Sequence, residues 1–214
     1  MKKITGGIYL VVDPMPGLNA IFPKVKAALD GGVDVIQLWN HWNQKDDHKE
    51  FIISICNLAH EYDVPVIINE NWQWLQELPL DGVHFDKVPE NIHQIRKDIN
   101  RSFLIGITCG NDDDPIQWAI ENNLDYISFC SMFPSSTSNS CELVNPAIIQ
   151  STRERTSMPI YAAGGITFKN TPLILSLGIN GVAIVSGIMK AEDPKLAAYQ
   201  FKQCLVPKNQ GSIL

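Results

Sequence analysis

The chain has 214 residues, a formal net charge of −6, and 45% hydrophobic against 19% charged residues. That is enough chain for one domain with a large core, and the acidic balance leaves no basic footprint for nucleic acid. No apolar run approaches the ~18 residues of a membrane span, and Lys2 and Lys3 precede a strand broken by Asp13-Pro14 rather than a signal-peptide core.

Residues 8–12 form an apolar run stopped by Asp13-Pro14 and read as a first strand. Asn19 is placed to cap a helix to Asp30, with Ile21, Val25, Ala28 and Leu29 on one face and Gly31-Gly32 ending it. Residues 33–38 are a second strand; after a loop, Asp46 or Asp47 opens a helix to about Tyr62. Residues 65–69 make the third strand, 72–78 a short helix, and 82–84 the fourth strand. A helix over 89–98 carries Pro89 in its first turn, where the missing N–H costs nothing. Residues 103–108 are the fifth strand, and Asp112-Asp113-Asp114-Pro115 starts a helix to Asn122. Residues 126–130 are the sixth strand, 131–145 a polar loop, and 146–154 a helix. Two further apolar runs lie within 158–189, and 191–205 is a closing helix.

Eight short strands, mostly apolar throughout and each followed by a helical pattern, suit a parallel sheet covered on its outer face. The expectation is a single α/β domain over residues 1–206, a (β/α)8 TIM barrel, with a frayed tail at 207–214. A doubly wound open sheet is the alternative, although no Gly-x-Gly-x-x-Gly follows strand 1. No linker or internal repeat stands out. Five cysteines without a Cys-x-x-Cys suggest free thiols in a reducing, cytoplasmic setting, with Cys56, Cys109, Cys130 and Cys204 as small core fillers.

A barrel enzyme works at the C-terminal ends of its strands. The last two strands end in Gly164-Gly165 and in Val185-Ser186, small residues that let backbone approach a ligand, where such barrels bind phosphate. Gln37 ends an apolar strand and is either hydrogen-bonded inside the barrel or bound to ligand. Asn69-Glu70 either caps the next helix or, through Glu70 with Asp86, supplies carboxylates for Mg2+. His84 reads as packed or hydrogen-bonded, and Thr108 stands at the end of strand 5. Ser135 to Ser138, with Thr137 among them, is a polar loop that either closes over an anion or does not. Trp39, Trp42, Trp72 and Trp74 are either a stacking wall for a flat ring or packing under a loop.

Several runs, taken in order, resemble the thiamine phosphate synthase family, which includes the TenI-like proteins. They include Tyr9-Leu-Val-Val-Asp13, Gly31-Gly-Val-Asp-Val-Ile-Gln-Leu38, Pro65-Val-Ile-Ile-Asn69, Asp81-Gly-Val-His84, Asp125-Tyr126, Phe133-Pro134, Ala163-Gly-Gly-Ile166 and Gly181-Val-Ala-Ile-Val-Ser-Gly-Ile188. The resemblance implies a TIM barrel that joins hydroxymethylpyrimidine diphosphate to thiazole phosphate, with Mg2+ helping pyrophosphate leave. It implies that Gln37 reads the pyrimidine, that Asn69 is the family's asparagine after strand 3, that Thr108 contacts pyrophosphate, and that Glu70 replaces a metal-binding aspartate, with Asp86 as the second carboxylate. Gly164, Gly165, Val185 and Ser186 correspond to the cup for the thiazole phosphate, and Ser135 and Thr137 to a phosphate-closing loop.

The departures are chemical. The family's strand 2 motif, Gln-Leu-Arg-x-Lys, is here Gln37-Leu38-Trp39-Asn40-His41; the strand 6 loop lacks its lysine; and the histidine of the tautomerase branch is replaced by Gly110. One preorganised charge donor is worth roughly 2.7–4 kcal/mol of transition-state stabilisation, so His41, Lys87 or a metal has to compensate. Three readings stand open: synthase, TenI-like tautomerase, or a non-catalytic binder and regulator of the same pathway. A homo-oligomer is compatible with all three.

Overall fold

The computed structural model describes residues 2–43, 47–134 and 142–206. Its strands are β1 Gly7–Val12, β2 Val35–Leu38, β3 Val66–Asn69, β4 Gly82–Phe85, β5 Leu104–Cys109, β6 Tyr126–Cys130, β7 Ile160–Ala163 and β8 Gly181–Ile184. They close a barrel in chain order, every pair parallel. Between and after them run α1 Leu18–Asp30, α2 His48–Glu61, a 3-10 helix Trp72–Gln76, α3 Ile92–Ile99, α4 Asp114–Glu121, α5 Pro146–Arg155, α6 Thr171–Leu175, α7 Ser186–Met189 and α8 Pro194–Leu205. This is the expected (β/α)8 architecture. The tail at 207–214 lies outside the described residues.

The local corrections concern helix and strand starts. Gly17, at φ 83, precedes the first turn of α1 with no side-chain cap, so Asn19 lies inside the helix. Asp47 is the cap of α2, accepting from the Lys49 and Glu50 N–H groups. Pro89 lies before α3, whose cap is Asn91 bonded to the Gln94 N–H. Val33 lies before β2, and α8 begins at Pro194, not Ala191.

Each strand presents alternate residues to two different cores. Ile8, Leu10, Ile36, Val83, Ile127 and Val182 face the helices. Tyr9, Val35, Ile67, Leu104, Tyr126, Tyr161 and Ala183 fill the barrel, with Ile4 against them.

A repeat that the sequence reading missed closes the N-terminal end of the barrel. The residue preceding each even strand is Asp34, Asp81, Asp125 or Asn180. Its side chain accepts the backbone N–H of Ile8, Val66, Ile105 or Ile160, respectively, on the neighbouring odd strand, at 2.7–2.9 Å. Its own N–H donates back to the carbonyl of that same residue, also at 2.7–2.9 Å. Cationic or imidazole side chains gather on these positions: Lys202 on Asp34, His60 on Asp81 and Arg153 on Asn180. The spacing between these four positions is irregular and the shared signature is one residue long, so periodicity alone does not reveal it. Among the described residues no helix is long and apolar enough to cross a membrane.

Candidate active site

Alternation along the strands also sets which polar residues enter the barrel. With Tyr9, Val35, Ile67, Leu104 and Tyr126 turned inward, the next inward positions toward the C-terminal rim are Val11, Gln37, Asn69, Gly106 and Ser128, and Thr108 is the inward position after Gly106. His84 enters the same layer from β4, paired in register with Asn69. Gln37, Asn69 and His84 are buried, and Thr108 is partly exposed at the rim.

A chain of hydrogen bonds crosses this layer. The Tyr9 hydroxyl donates to Gln37 Oε1 at 2.7 Å and lies 2.7 Å from the Tyr126 hydroxyl. His84 Nδ1 is 3.0 Å from that second hydroxyl, and its Nε2 is 2.9 Å from Thr108 Oγ1. The His84 ring stacks on Tyr126 at 5.6 Å. Burial lowers the pKa of His84 to about 3, so the ring is neutral at ordinary pH. Burial also pushes the Tyr9 and Tyr126 phenols far above their usual range. His84 is therefore a bonded interior residue, as expected. The strand alternation marks Tyr9 and Tyr126 as inward, but nothing in the sequence states that they meet.

Asn69 links this chain to the carboxylates. Its Nδ2 donates to the His84 carbonyl at 3.3 Å and to Asp86 Oδ1 at 3.0 Å, while its Oδ1 accepts the Asn40 N–H at 3.3 Å. Glu70 has a left-handed backbone, φ 64. Its N–H donates to the His84 carbonyl at 2.9 Å, and its Oε1 accepts the Asp86 N–H at 2.5 Å. Partial desolvation raises the Glu70 pKa, the Asp86 charge adds to this, and the Asp86 N–H bond and Lys87 oppose it. Desolvation likewise raises Asp86, against the Asn69 bond and Lys87. Among the described residues no three or more His, Cys, Asp or Glu gather into a metal-holding group, so these two carboxylates stand as a pair.

His41 sits on the loop after β2. Its Nδ1 is 3.1 and 3.2 Å from the two carboxylate oxygens of Asp13, and its ring lies 5.7 Å from Trp39. Trp42 and Trp74 pack edge to face at 5.2 Å, with Phe51 against Trp42, so these two indoles are packing, while Trp39 stands apart with His41.

Gly164 and Gly165 have φ 88 and 66, and the structure adds a packing reason for their size. A Cβ on Gly164 would stand 2.4 Å from Ser131 Oγ, and one on Gly165 would stand 2.8 Å from Phe133. These glycines make room for the loop after β6, which is tied down by the Met132 N–H on the Ala163 carbonyl and the Phe133 N–H on the Gly164 carbonyl. Val185 precedes α7, whose first residues Ser186 and Gly187 have no intrahelical acceptor for their N–H groups. No hydrogen bond among the described residues joins Gly164, Gly165, Val185 or Ser186 to the Gln37–Asn69–Thr108 network; they approach the rim from β7 and β8. Ser135 and Thr137 lie outside the described residues. A Cβ on Gly110 would meet no heavy atom within 4 Å. Cys56 and Cys109 are buried, and burial lifts both thiols to about 12, as expected of inert core fillers.

Residues 8–188 match the sequence profile of a family described as thiamine monophosphate synthase. The thiamine-phosphate synthase of Halorhodospira halophila is 30% identical over 194 residues, covering 91% of each chain. That of a Bacillus cereus strain is 31% identical over 194 residues, covering 88% of this chain and 86% of its own. Among solved structures, thiamine phosphate pyrophosphorylase from Pyrococcus furiosus superposes with a TM-score of 0.80 at 22% identity, over 93% of this chain and 95% of that one. Orotidine 5'-phosphate decarboxylase from Pyrococcus horikoshii gives 0.67 at 15% identity, over 92% and 98%, a likeness of fold alone.

Proposed function

The chain belongs to the thiamine monophosphate synthase family, and on that premise we propose that it joins hydroxymethylpyrimidine diphosphate to thiazole phosphate. In this reaction the bond between the pyrimidine's methylene carbon and the diphosphate oxygen breaks, and pyrophosphate leaves with the electron pair. The thiazole nitrogen then donates its lone pair to the methylene carbon, forming thiamine phosphate. The observation that carries this reading is the single network uniting Gln37, Asn69, Thr108, Glu70 and Asp86 at the C-terminal rim.

Gln37 Oε1 is held inward by Tyr9, and its amide nitrogen has no partner among the described residues, so it is free to hold the pyrimidine ring. Asn69 fixes the Asp86 carboxylate and the turn at Glu70. The two carboxylates fit Mg2+: they are hard oxygen donors, both partly desolvated, and each retains an oxygen outside the bonds described. When bound there, Mg2+ supplies positive charge to the departing pyrophosphate. The thiazole phosphate is assigned to the rim formed by Gly164, Gly165, Val185 and Ser186, with Ser135 and Thr137 as further candidate phosphate contacts.

His41 is proposed to supply part of the positive charge that the Arg and Lys of the strand 2 motif would give, held by Asp13. A second reading, a member that binds the phosphate ligand without turnover, is favoured by the aromatic Trp39 at the first of those positions. The tautomerase reading has less support, because Gly110 leaves open space where an acid–base side chain would stand.

Single turnover with both substrates and Mg2+, alongside binding of thiazole phosphate alone, separates the readings. Thiamine phosphate formed well above background supports the synthase; tight binding with no product replaces it with the non-catalytic reading.

A further inference from the structure

At the closed, N-terminal end of the barrel a cavity of about 380 Å³ opens between Lys2, Asp81, Arg101, Ser102 and Leu104. That is the small end of the range for ligand pockets, about 300–1,000 Å³. Lys2 precedes β1, Asp81 precedes β4, Arg101 and Ser102 lie between α3 and β5, and Leu104 opens β5. None of these residues belongs to the Gln37–Asp86 network at the opposite rim. Elsewhere Lys26, Lys49, Arg155 and Lys202 each form an ion pair with a carboxylate. The two cations of this cavity have no such pair among the described residues. They are held by carbonyl oxygens, which fix their position without neutralising them. Lys2 Nζ donates to the Val64 carbonyl at 2.9 Å, and an ammonium has two further N–H groups to give. Arg101 is held along one edge: Nε and Nη2 donate to the Leu75 carbonyl at 3.3 and 2.9 Å, and Nη2 also to the Leu80 carbonyl at 2.8 Å. Its Nη1, with two N–H groups, and the Ser102 hydroxyl have no hydrogen-bond partner among the described residues. Asp81 is the one carboxylate in the lining, and its Oδ2 already takes the Val66 N–H and lies 2.8 Å from His60 Nε2. Two fixed cations therefore face one carboxylate that is engaged by other groups.

We propose that this cavity binds a small oxyanion of the phosphate class, with Lys2 Nζ, Arg101 Nη1 and Ser102 Oγ donating to its oxygens. A tetrahedral oxyanion presents acceptors in several directions, which suits donors that arrive from separate segments of the chain. Its charge offsets the excess of cations, and charge-assisted hydrogen bonds of this kind are stronger than neutral ones. The guanidinium edge is fixed before a ligand arrives, so little ordering is left for binding to impose. The site is open to solvent at Arg101 and Ser102, so binding weakens as salt rises. The carbonyls that hold the two cations belong to residues 64, 75 and 80, around β3 and on its connection to β4. A bound oxyanion thus joins the segment before β1 to that connection and braces the closed end of the barrel. The proposal does not rest on the chemistry assigned to the other rim.

The test uses amide 1H–15N spectra of the full-length protein, titrated with inorganic phosphate and separately with pyrophosphate, against sodium chloride at matched ionic strength. The Ser102 amide is expected to move saturably with the oxyanions and not with chloride. Lys2→Met keeps the apolar stem and removes the ammonium, and should raise the apparent Kd read at Ser102 about tenfold. The amides of Gly165 and Ser186 report any phosphate bound at the opposite rim, and Lys2→Met should leave their response unchanged. Ser102→Ala removes only a hydroxyl and should raise the apparent Kd about threefold, read at the Arg101 amide, which decides the matter if Lys2→Met does not fold. Tighter binding of pyrophosphate assigns the site to diphosphates and tighter binding of phosphate assigns it to monophosphates; either supports the proposal. A Ser102 amide that responds equally to chloride, or an apparent Kd unchanged in both variants, overturns it, whether or not the protein is a synthase.

Discussion

The ring of Tyr126 occupies the space beside residue 106: a Cβ built on Gly106 would stand 2.1 Å from its Cζ. Both residues are buried, and their strands are adjacent with the two in register. Gly106 is thus small so that a phenol can cross the barrel to Tyr9. Gly106→Ala is expected to destabilise the fold by about 1–3 kcal/mol, the range for overpacking a filled core. Denaturant midpoints measure this, and a change below about 0.5 kcal/mol would show that the ring relaxes freely.

His84 makes stability depend on pH with a definite sign. Its folded pKa of about 3 lies below the ordinary imidazole value of 6.5, so between these values the unfolded chain binds a proton that the folded one excludes. Its contribution is fully present above about pH 6.5 and declines as pH falls toward 3. The slope approaches about 1.4 kcal/mol per pH unit, which gives a loss of about 2 kcal/mol between pH 7 and 5. Melting curves of wild type and His84→Gln at both pH values isolate the effect. Parallel losses in the two proteins would assign the acid sensitivity to other groups.

The carboxylate pair gives a prediction about metal. If Glu70 and Asp86 hold Mg2+, Glu70→Gln and Asp86→Asn should each lower kcat/KM by about 10²–10³-fold and raise the Mg2+ concentration required. Both pKa values are raised, so protons compete with the cation above the ordinary carboxylate range. Half-saturating Mg2+ should therefore rise as pH is lowered toward that range. Metal-independent turnover in the wild type sinks this assignment.

The His41–Asp13 pair is exposed, so its contribution to stability is small, and its test is kinetic. If it stands in for the missing strand 2 cations, His41→Gln should lower single-turnover rate by about tenfold or more while melting temperature stays near wild type. Asp13→Asn should have a smaller effect in the same direction. An unchanged rate in both leaves Lys87 and the bound metal as the compensating charges.

The four side chains at the closed end predict a local defect. Asp125→Ala leaves the Ile105 N–H without its 2.7 Å partner in a buried strand, at a cost of about 1–3 kcal/mol. Hydrogen exchange at the Ile105 amide should accelerate more than at amides of β1 or β3. Uniform acceleration would mean that the bond reports global stability only.

Much of this protein follows from patterns a few residues long. Apolar runs, turn residues and caps such as Asp47 specify the eight strands and most helices, because strand alternation and helical periodicity are local properties of the chain. The same alternation, with the polar residue at each strand end, brings out Gln37, Asn69, Glu70 and Thr108, and the family motifs bring out the rim at Gly164 and Ser186. Pairing across the barrel is different in kind. Tyr9 and Tyr126 are 117 positions apart, and Glu70 reaches Asp86 only through a left-handed turn. Gly164 and Gly165 are small because the β6 loop lies on them, a reason that the strand ends do not express. Which polar groups meet and which glycines make room for rings depend on strand register and closure. Those are settled when the eighth strand pairs with the first, since only the closed sheet brings distant inward side chains within bonding distance.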